Sequence, residues 1–466
     1  MRTPLVALFL AAATLSAQAQ LSPEAEAKIN ALAEKTLHDT GVPSASVAIA
    51  QNGKLVYAHA FGLANVAPAR PATAQMAYPI GSISKQFTAQ AALLLAQDGK
   101  LSIDDPVAKY FPNLTRAKDV TLRNLMTMTS GYQDFAPQDY IIPAWLKPTT
   151  PLAIVQEWAT KPLDFEPGSE WQYSNTNYVL LGLILEKVSG EPLSKLVHER
   201  VLAPLGISDQ VFNTYTDRQK LQVTGYVSNA LAPVRVQPLE ANGWYFGDGD
   251  LAMTASTLIT WDLGILNQKL LSPASYKQFE TPFVYTNGKP STYGLGVFVH
   301  QANGHPMLEH SGEVGGYVAE NMLFPDDKIA ITVLTNQVAS EAASEIGHQI
   351  SLELIPTLRK TPPAETADTL APTLKTLLPQ LQNGTIDTTS LTPDTIAYFS
   401  PETLADFKST LAPLGALKEV TRTRSGLRGG MTFGLYKAAF ANGTLTLTTY
   451  LTPEGKIEQL LIIGKE

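Results

Sequence analysis

Cysteine is absent from all 466 residues. That excludes disulfides, thiolate metal sites and a lipid-acceptor cysteine behind an export signal, so the fold must hold by its core alone. Basic residues are in deficit, 34 against 42 acidic ones, for a net charge of -8. A nucleic-acid partner needs clustered Lys and Arg, and that class is set aside. Charged residues make up only 16% and hydrophobic ones 44%, the proportions of an ordinary globular protein. Long apolar runs are missing apart from one at the start. In MRTPLVALFLAAATLSAQAQ, Arg2 precedes an apolar stretch from Leu5 to Leu15, and Ala17-Gln18-Ala19 forms a small-residue cleavage pattern. The run is too short to span a bilayer, so residues 1–19 read as a removable signal peptide. The expectation is a secreted, periplasmic protein without a membrane anchor.

The rest divides into two units. Ser22-Pro23 caps a helix running to Asp39, and Asn52-Gly53 marks a hairpin between two apolar runs. Helices follow from Ser82 to Gly99, from Thr150-Pro151, and from Asn175 to Ser189-Gly190. Between 291 and 335, four strand-like stretches are separated by Asn303-Gly304, Gly315-Gly316 and Pro325-Asp326-Asp327. An early hairpin, central helices and a late meander predict an α+β domain over residues 20–358, its antiparallel sheet uniting both ends. Residues 359–372, with Pro362-Pro363, read as a linker. Residues 373–466 form a small α+β domain: a helix capped by Ser400-Pro401, then four strands over 417–424, 431–440, 444–451 and 456–463. Their expected turns fall at Ser425-Gly426, Asn442-Gly443 and Pro453-Glu454-Gly455.

Three polar groups could carry chemistry. In Y-P-I-G-S-I-S-K, Ser82 and Lys85 lie one helical turn apart at the mouth of an apolar helix. A serine hydroxyl is a weak nucleophile until a neighbouring base or cation activates it, and helix N–H groups can receive a developing oxyanion. Spacing alone is weak, because a chain this long holds about one or two Ser-x-x-Lys pairs by chance. Taken singly, Ser82 reads more readily as a helix cap and Lys85 as a solvated first-turn charge. The second group, Tyr173-Ser174-Asn175, follows a Pro-Gly turn and opens a helix. A phenol beside an ammonium can act as a general base, and an amide can bind a substrate carbonyl. Tyr285-Thr286-Asn287 copies this spacing but leads into a turn, so it reads as a hairpin tip. The third group is His310-Ser311-Gly312-Glu313 at a strand end, where a glycine lets an extended substrate approach the backbone. Alone, His310 reads as a surface histidine. His300, His305 and His310 lack the spacing of a zinc site, and neither metal nor cofactor is expected. Gly247-Asp248-Gly249 mimics a dinucleotide loop but has no βαβ unit around it.

In the order Ser-x-x-Lys, Tyr-x-Asn, His-Ser-Gly, the chain resembles the serine β-lactamase and penicillin-binding protein superfamily. It is most similar to the class C-like, S12-type branch of D-alanyl-D-alanine carboxypeptidases, D-aminopeptidases and esterases. L-S-I-D-D-P-V-A-K-Y-F-P, T-L-R-N-L-M-T-M-T-S-G and G-D-G-D-L-A-M-T-A-S-T-L fit that branch too, and the resemblance covers residues 25–355. It implies a β-lactamase/transpeptidase-like fold and an acyl-enzyme on Ser82. Lys85 and Tyr173 would share its activation, Asn175 would hold the substrate amide, and the Ser82 and Glu313 N–H groups would form the oxyanion hole. Two positions depart from the pattern. His310 stands where class C β-lactamases carry lysine, which weakens the anchor for a substrate carboxylate. Met128 stands where such sequences often carry histidine. The implied partner is a small-molecule or peptide substrate, most readily a peptide or amide with D-residues, with esters or β-lactams as alternatives and a non-catalytic binding protein as a minority one.

Overall fold

The computed structural model describes residues 20–207, 210–359, 370–428 and 431–465. The expected signal peptide and most of the expected linker lie outside them. The first hairpin explains the sheet. Strand β1 (Ser44–Gln51) places Ala45, Val47 and Ile49 in one buried cluster and Ala48 and Ala50 in another, so its two faces pack on different layers. Asn52 and Gly53, both at positive φ, turn the chain into β2 (Lys54–Asn65). The short β3 (Arg70–Pro71), then β4 (Phe298–Ala302), β5 (His305–Val314), β6 (Tyr317–Phe324) and β7 (Ile329–Thr335) complete a seven-stranded sheet ordered β3-β2-β1-β7-β6-β5-β4. β1 pairs antiparallel with β7, Val47 opposite Val333, which joins the two ends of the domain as expected.

Helices cover both faces of this sheet. On one side α1 (Pro23–Thr40), capped by the Ser22 side chain, shares a core with the helix Ala342–Leu354. On the other, α2 (Ser84–Gln97), α3 (Asn175–Ser189) and α4 (Ala255–Leu266) build the larger core, with Phe87 stacked on Trp261 at 4.1 Å between ring centres. The alanines of β1 face this layer, and their small size lets α4 lie close to the strand.

The C-terminal unit has its own core, from Leu374, Leu377 and Leu381 of the helix Ala371–Gln382 to Leu447 and Ile462 of the sheet. Ala371 and Pro372, read as the end of the linker, already open that helix. Its sheet runs β8 (Leu417–Arg428), β9 (Met431–Phe440), β10 (Gly443–Leu451) and β11 (Ile457–Lys465) in sequence order. One turn differs from expectation. Ser425-Gly426 is not a turn: β8 runs through it, with Ser425 opposite Gly434 and Arg428 opposite Met431. A glycine in a strand is tolerated where partners on the next strand hold the pairing. The extension carries Arg428 to the first domain.

Candidate active site

Ser82 sits in one 3-10 turn, Gly81–Ile83, that feeds α2. Helical spacing brings Lys85 back beside it, and Lys85 Nζ donates to Ser82 Oγ at 2.9 Å. The same nitrogen donates to Asn175 Oδ1 at 2.7 Å and to the Asp248 carbonyl at 2.8 Å. Three acceptors therefore surround Nζ, one for each N–H of an ammonium. Lys85 is fully buried, the burial of an engaged side chain rather than a solvated charge.

Asn175 is the first residue of α3, and Ser174 at the cap position makes no side-chain cap bond. The cap comes from elsewhere. Asp134 Oδ1 accepts from Asn175 N at 2.9 Å, and Asp134 Oδ2 from Asn175 Nδ2 at 3.3 Å. Burial pushes the Asp134 carboxyl above the usual carboxylate range, against the opposing pull of Arg428 and these hydrogen bonds. Asn175 Nδ2 also donates to the Ala136 carbonyl at 3.2 Å, which fixes the amide with its oxygen toward Lys85. Met128, at φ 59, has a physical role here: its sulfur accepts from Ser174 N at 3.4 Å and from Asn177 Nδ2 at 3.6 Å.

Tyr173 lies with its ring centre 5.0 Å from Lys85 Nζ and 5.7 Å from the Arg428 guanidinium carbon. Among the described residues its buried hydroxyl has no hydrogen-bond partner. The decoy at Tyr285 is a turn, closed by Gly288 N donating to the Tyr285 carbonyl at 2.9 Å.

β5 brings the third group. Its pairing with β4 ends at Glu309, opposite Phe298, so His310–Val314 have a partner on the β6 side alone. Two glycines bring this edge against the serine. A Cβ on Gly312 would lie 1.9 Å from the Ile80 carbonyl oxygen and 3.0 Å from Ser82 N. One on Gly81, at φ 50, would lie 2.6 Å from Glu313 N. Only glycine at both positions lets the Ser82 and Glu313 amides come this close. Ser311 is exposed and lines the cleft. The Glu313 side chain also lines it, and burial pushes its carboxyl well above the usual range.

His310 differs from the surface histidine that its residue type suggests. It is buried, 2% exposed, with Nε2 2.9 Å from the Tyr293 hydroxyl and Nδ1 2.6 Å from the Ser311 carbonyl oxygen. Burial, with Lys85 adding, pushes its pKa down to about 3. It is a neutral ring packed 6.1 Å from the Tyr173 ring, not a cation in the cleft.

Three residues escape sequence reading. Asp134 has no motif and is 41 residues from the helix it caps. Asp248 lies in the stretch set aside as a false dinucleotide loop, yet its carbonyl and carboxylate both face Lys85. Arg428 is concealed by the apparent turn at Ser425-Gly426. Together with Asp139, Tyr173, Asn175 and the β5 edge it lines a cleft of about 830 Å³ that contains Ser82.

Known proteins share the sequence pattern and the fold. A penicillin-binding protein of Bacillus subtilis is 27% identical over 321 residues, covering 65% of this chain and 70% of its own. Protein flp of Staphylococcus aureus is 27% identical over 348 residues, covering 72% and 68%. Among solved structures, the octameric penicillin-binding protein homologue from Pyrococcus abyssi superposes with a TM-score of 0.63 at 22% identity, over 95% of this chain and 100% of that one. The D-amino acid amidase from Ochrobactrum anthropi superposes at 0.61 and 20% identity, over 72% and 99%. The family model described as Beta-lactamase matches residues 29–353, and the chain belongs to this family of serine hydrolases.

Proposed function

We propose that the chain hydrolyses peptide or amide substrates of the D-amino acid type through an acyl-enzyme on Ser82. The observation that carries this reading is the Lys85 ammonium, held by Ser82 Oγ, Asn175 Oδ1 and the Asp248 carbonyl. Each N–H of Lys85 is engaged as a donor, so Tyr173, whose oxygen has no hydrogen-bond partner among the described residues, is the base that takes the Ser82 proton. Ser82 Oγ bonds to the substrate carbonyl carbon while the Ser82 and Glu313 amides receive the oxyanion. The C–N bond then breaks, and Tyr173 returns the proton to the leaving amine. Water, deprotonated by the same tyrosine, releases the acyl group as a carboxylic acid.

The preference for amides over β-lactams or carboxypeptidase substrates follows from charge. His310 is neutral and turned to Tyr293, so this strand offers no cation for a substrate carboxylate. A similar fold in a D-amino acid amidase supports the same substrate class. The test compares turnover of D-amino acid amides, D-Ala-D-Ala peptides, p-nitrophenyl esters and nitrocefin, wild type beside Ser82→Ala. D-amide turnover that vanishes in Ser82→Ala is expected. Ester turnover with none of the others would assign a carboxylesterase instead, and failure of penicillin or fluorophosphonate to add mass to the wild type would point to a binding protein.

A further inference from the structure

Among the polar contacts between the C-terminal unit and the hydrolase domain, two clusters differ in character. In the first, Arg235 pairs with Asp406 at 2.6 Å and with Glu402 at 2.9 Å, and Asn229 also reaches Asp406. The second place is the catalytic cleft. Asp139 of the hydrolase domain receives three side chains, all from the C-terminal sheet. Arg428 Nη1 donates to Oδ1 at 2.6 Å, Tyr450 to Oδ2 at 3.1 Å, and Gln459 Nε2 to Oδ2 at 2.9 Å. Gln459 Oε1 also accepts from Asp139 N at 2.8 Å. Arg428 Nη2 reaches the Ala136 carbonyl at 3.4 Å, the oxygen that also holds the Asn175 amide.

Arg428 makes a further contact that docking does not require. Its backbone forms a parallel bridge with Tyr173, and its guanidinium lies over the Tyr173 ring. One residue of the second domain thus touches the proposed base directly and the amide-holding Asn175 through one shared carbonyl. A planar guanidinium clamped by a carboxylate and a phenol is a rigid support, unlike a free surface arginine.

We propose that Arg428 is a positioning residue of the Ser82 site, supplied by the C-terminal unit to fix Tyr173 and Asn175 for acyl transfer, so that the C-terminal unit is part of the catalytic centre. This rests on Ser82 being the nucleophile. Small displacements of a base from its proton cost large factors in rate, and the effect falls on the chemical step more than on binding.

The experiment uses the full chain and two readouts, the rate of fluorophosphonate labelling at Ser82 and the kcat and KM for a p-nitrophenyl ester. Arg428→Ala is expected to slow labelling and lower kcat by about 100-fold, with KM changed less than about threefold. The truncation opens a hole on the cleft wall, so guanidinium chloride at about 20 mM is expected to restore about tenfold over the same concentration of sodium chloride. Arg235→Gln weakens the other inter-unit contact, to Asp406 and Glu402, and leaves labelling within about threefold of wild type. Should Arg428→Ala not fold, Asp139→Asn serves in its place: it keeps the guanidinium, loses its clamp, and slows labelling without guanidinium rescue. Equal labelling of wild type and Arg428→Ala, or of wild type and Asp139→Asn, overturns the proposal. So does a loss without rescue in Arg428→Ala, or an equal loss in Arg235→Gln, since both assign the residue to docking alone. No labelling of the wild type overturns the Ser82 reading and this proposal with it.

Discussion

Lys85 Nζ lies 3.9 Å from Asp248 Oδ2, both side chains are wholly out of solvent, and neither carboxylate oxygen of Asp248 has a hydrogen-bond partner among the described residues. Burial drives the Asp248 carboxyl well above the usual range, and the Lys85 charge is the largest opposing influence. An ion pair in this setting is held by charge without hydrogen bonds to satisfy it, so its value depends on Lys85 being left with a counter-charge. Asp248→Asn preserves shape and removes the charge. The expected result is a loss of about 3 kcal/mol in denaturant unfolding, together with slower acylation. Unchanged or increased stability would show that Asp248 is protonated and that the pair is not ionic.

Glu240 gives the fold a measurable response to pH. It is buried, accepts from Gly315 N at 3.0 Å and from the Tyr215 hydroxyl at 3.2 Å, and burial pushes its pKa up to about 6 from 4.5. The folded state therefore binds the proton more tightly than the unfolded state. Its contribution to stability is fully present below pH 4.5 and is lost as pH rises through about 6. Relative to Glu240→Gln, wild type is expected to lose about 2 kcal/mol between pH 4.5 and 7. Parallel stability curves for the two proteins would remove Glu240 as the titrating group.

His310 should remain neutral throughout the working range. Its pKa of about 3 places protonation below any pH at which the protein would be assayed. Ring-labelled histidine NMR is expected to show no titration of His310 between pH 5 and 8. Loss of its ring in His310→Ala leaves the Tyr293 hydroxyl without its buried partner, at a cost of about 1–3 kcal/mol. A titration midpoint above pH 5 would mean that the ring reaches solvent and could serve as a cation in the cleft.

Gly312 tests the backbone approach that forms the oxyanion site. A methyl group there collides with the Ile80 carbonyl, so Gly312→Ala must push the β5 edge away from Ser82. Loss of one oxyanion donor typically costs about 10²–10³ in kcat. That loss is expected in steady-state turnover, while the rest of the sheet keeps its register because pairing with β6 continues to Val314. Activity within tenfold of wild type would place the oxyanion donors elsewhere.

Met128 supplies a stability prediction of the same kind. Met128→Leu keeps the volume but removes the sulfur that accepts from Ser174 N. The stranded amide is expected to cost about 1 kcal/mol, read by thermal unfolding. No change would mean that the sulfur contact carries no weight.

Local pattern made much of this architecture legible. Asn52-Gly53 and the alternating runs around it define a hairpin, because turn residues and a period of two need only neighbours in sequence. Ser22-Pro23, Thr150-Pro151 and Ser400-Pro401 mark helix starts for the same reason. Ser82 and Lys85 were readable as a pair because one helical turn converts their spacing into contact. Where two local signals conflicted, the reading failed. Ser425-Gly426 has turn chemistry, but strand β9 beside it supplies partners for an unbroken β8.

Sequence by itself determined a set of candidate residues, Ser82, Lys85, Tyr173, Asn175 and His310–Glu313, and the local helix or strand beside each. Tertiary structure decided what surrounds them: Asp248 beneath Lys85, Asp134 as the cap of a distant helix, His310 buried and neutral, and Arg428 reaching in from the second domain. The physical reason is range. Backbone preferences and periodicity act over a few residues, whereas burial and charge pairing depend on contacts between distant segments, 289 positions apart for Arg428 and Asp139.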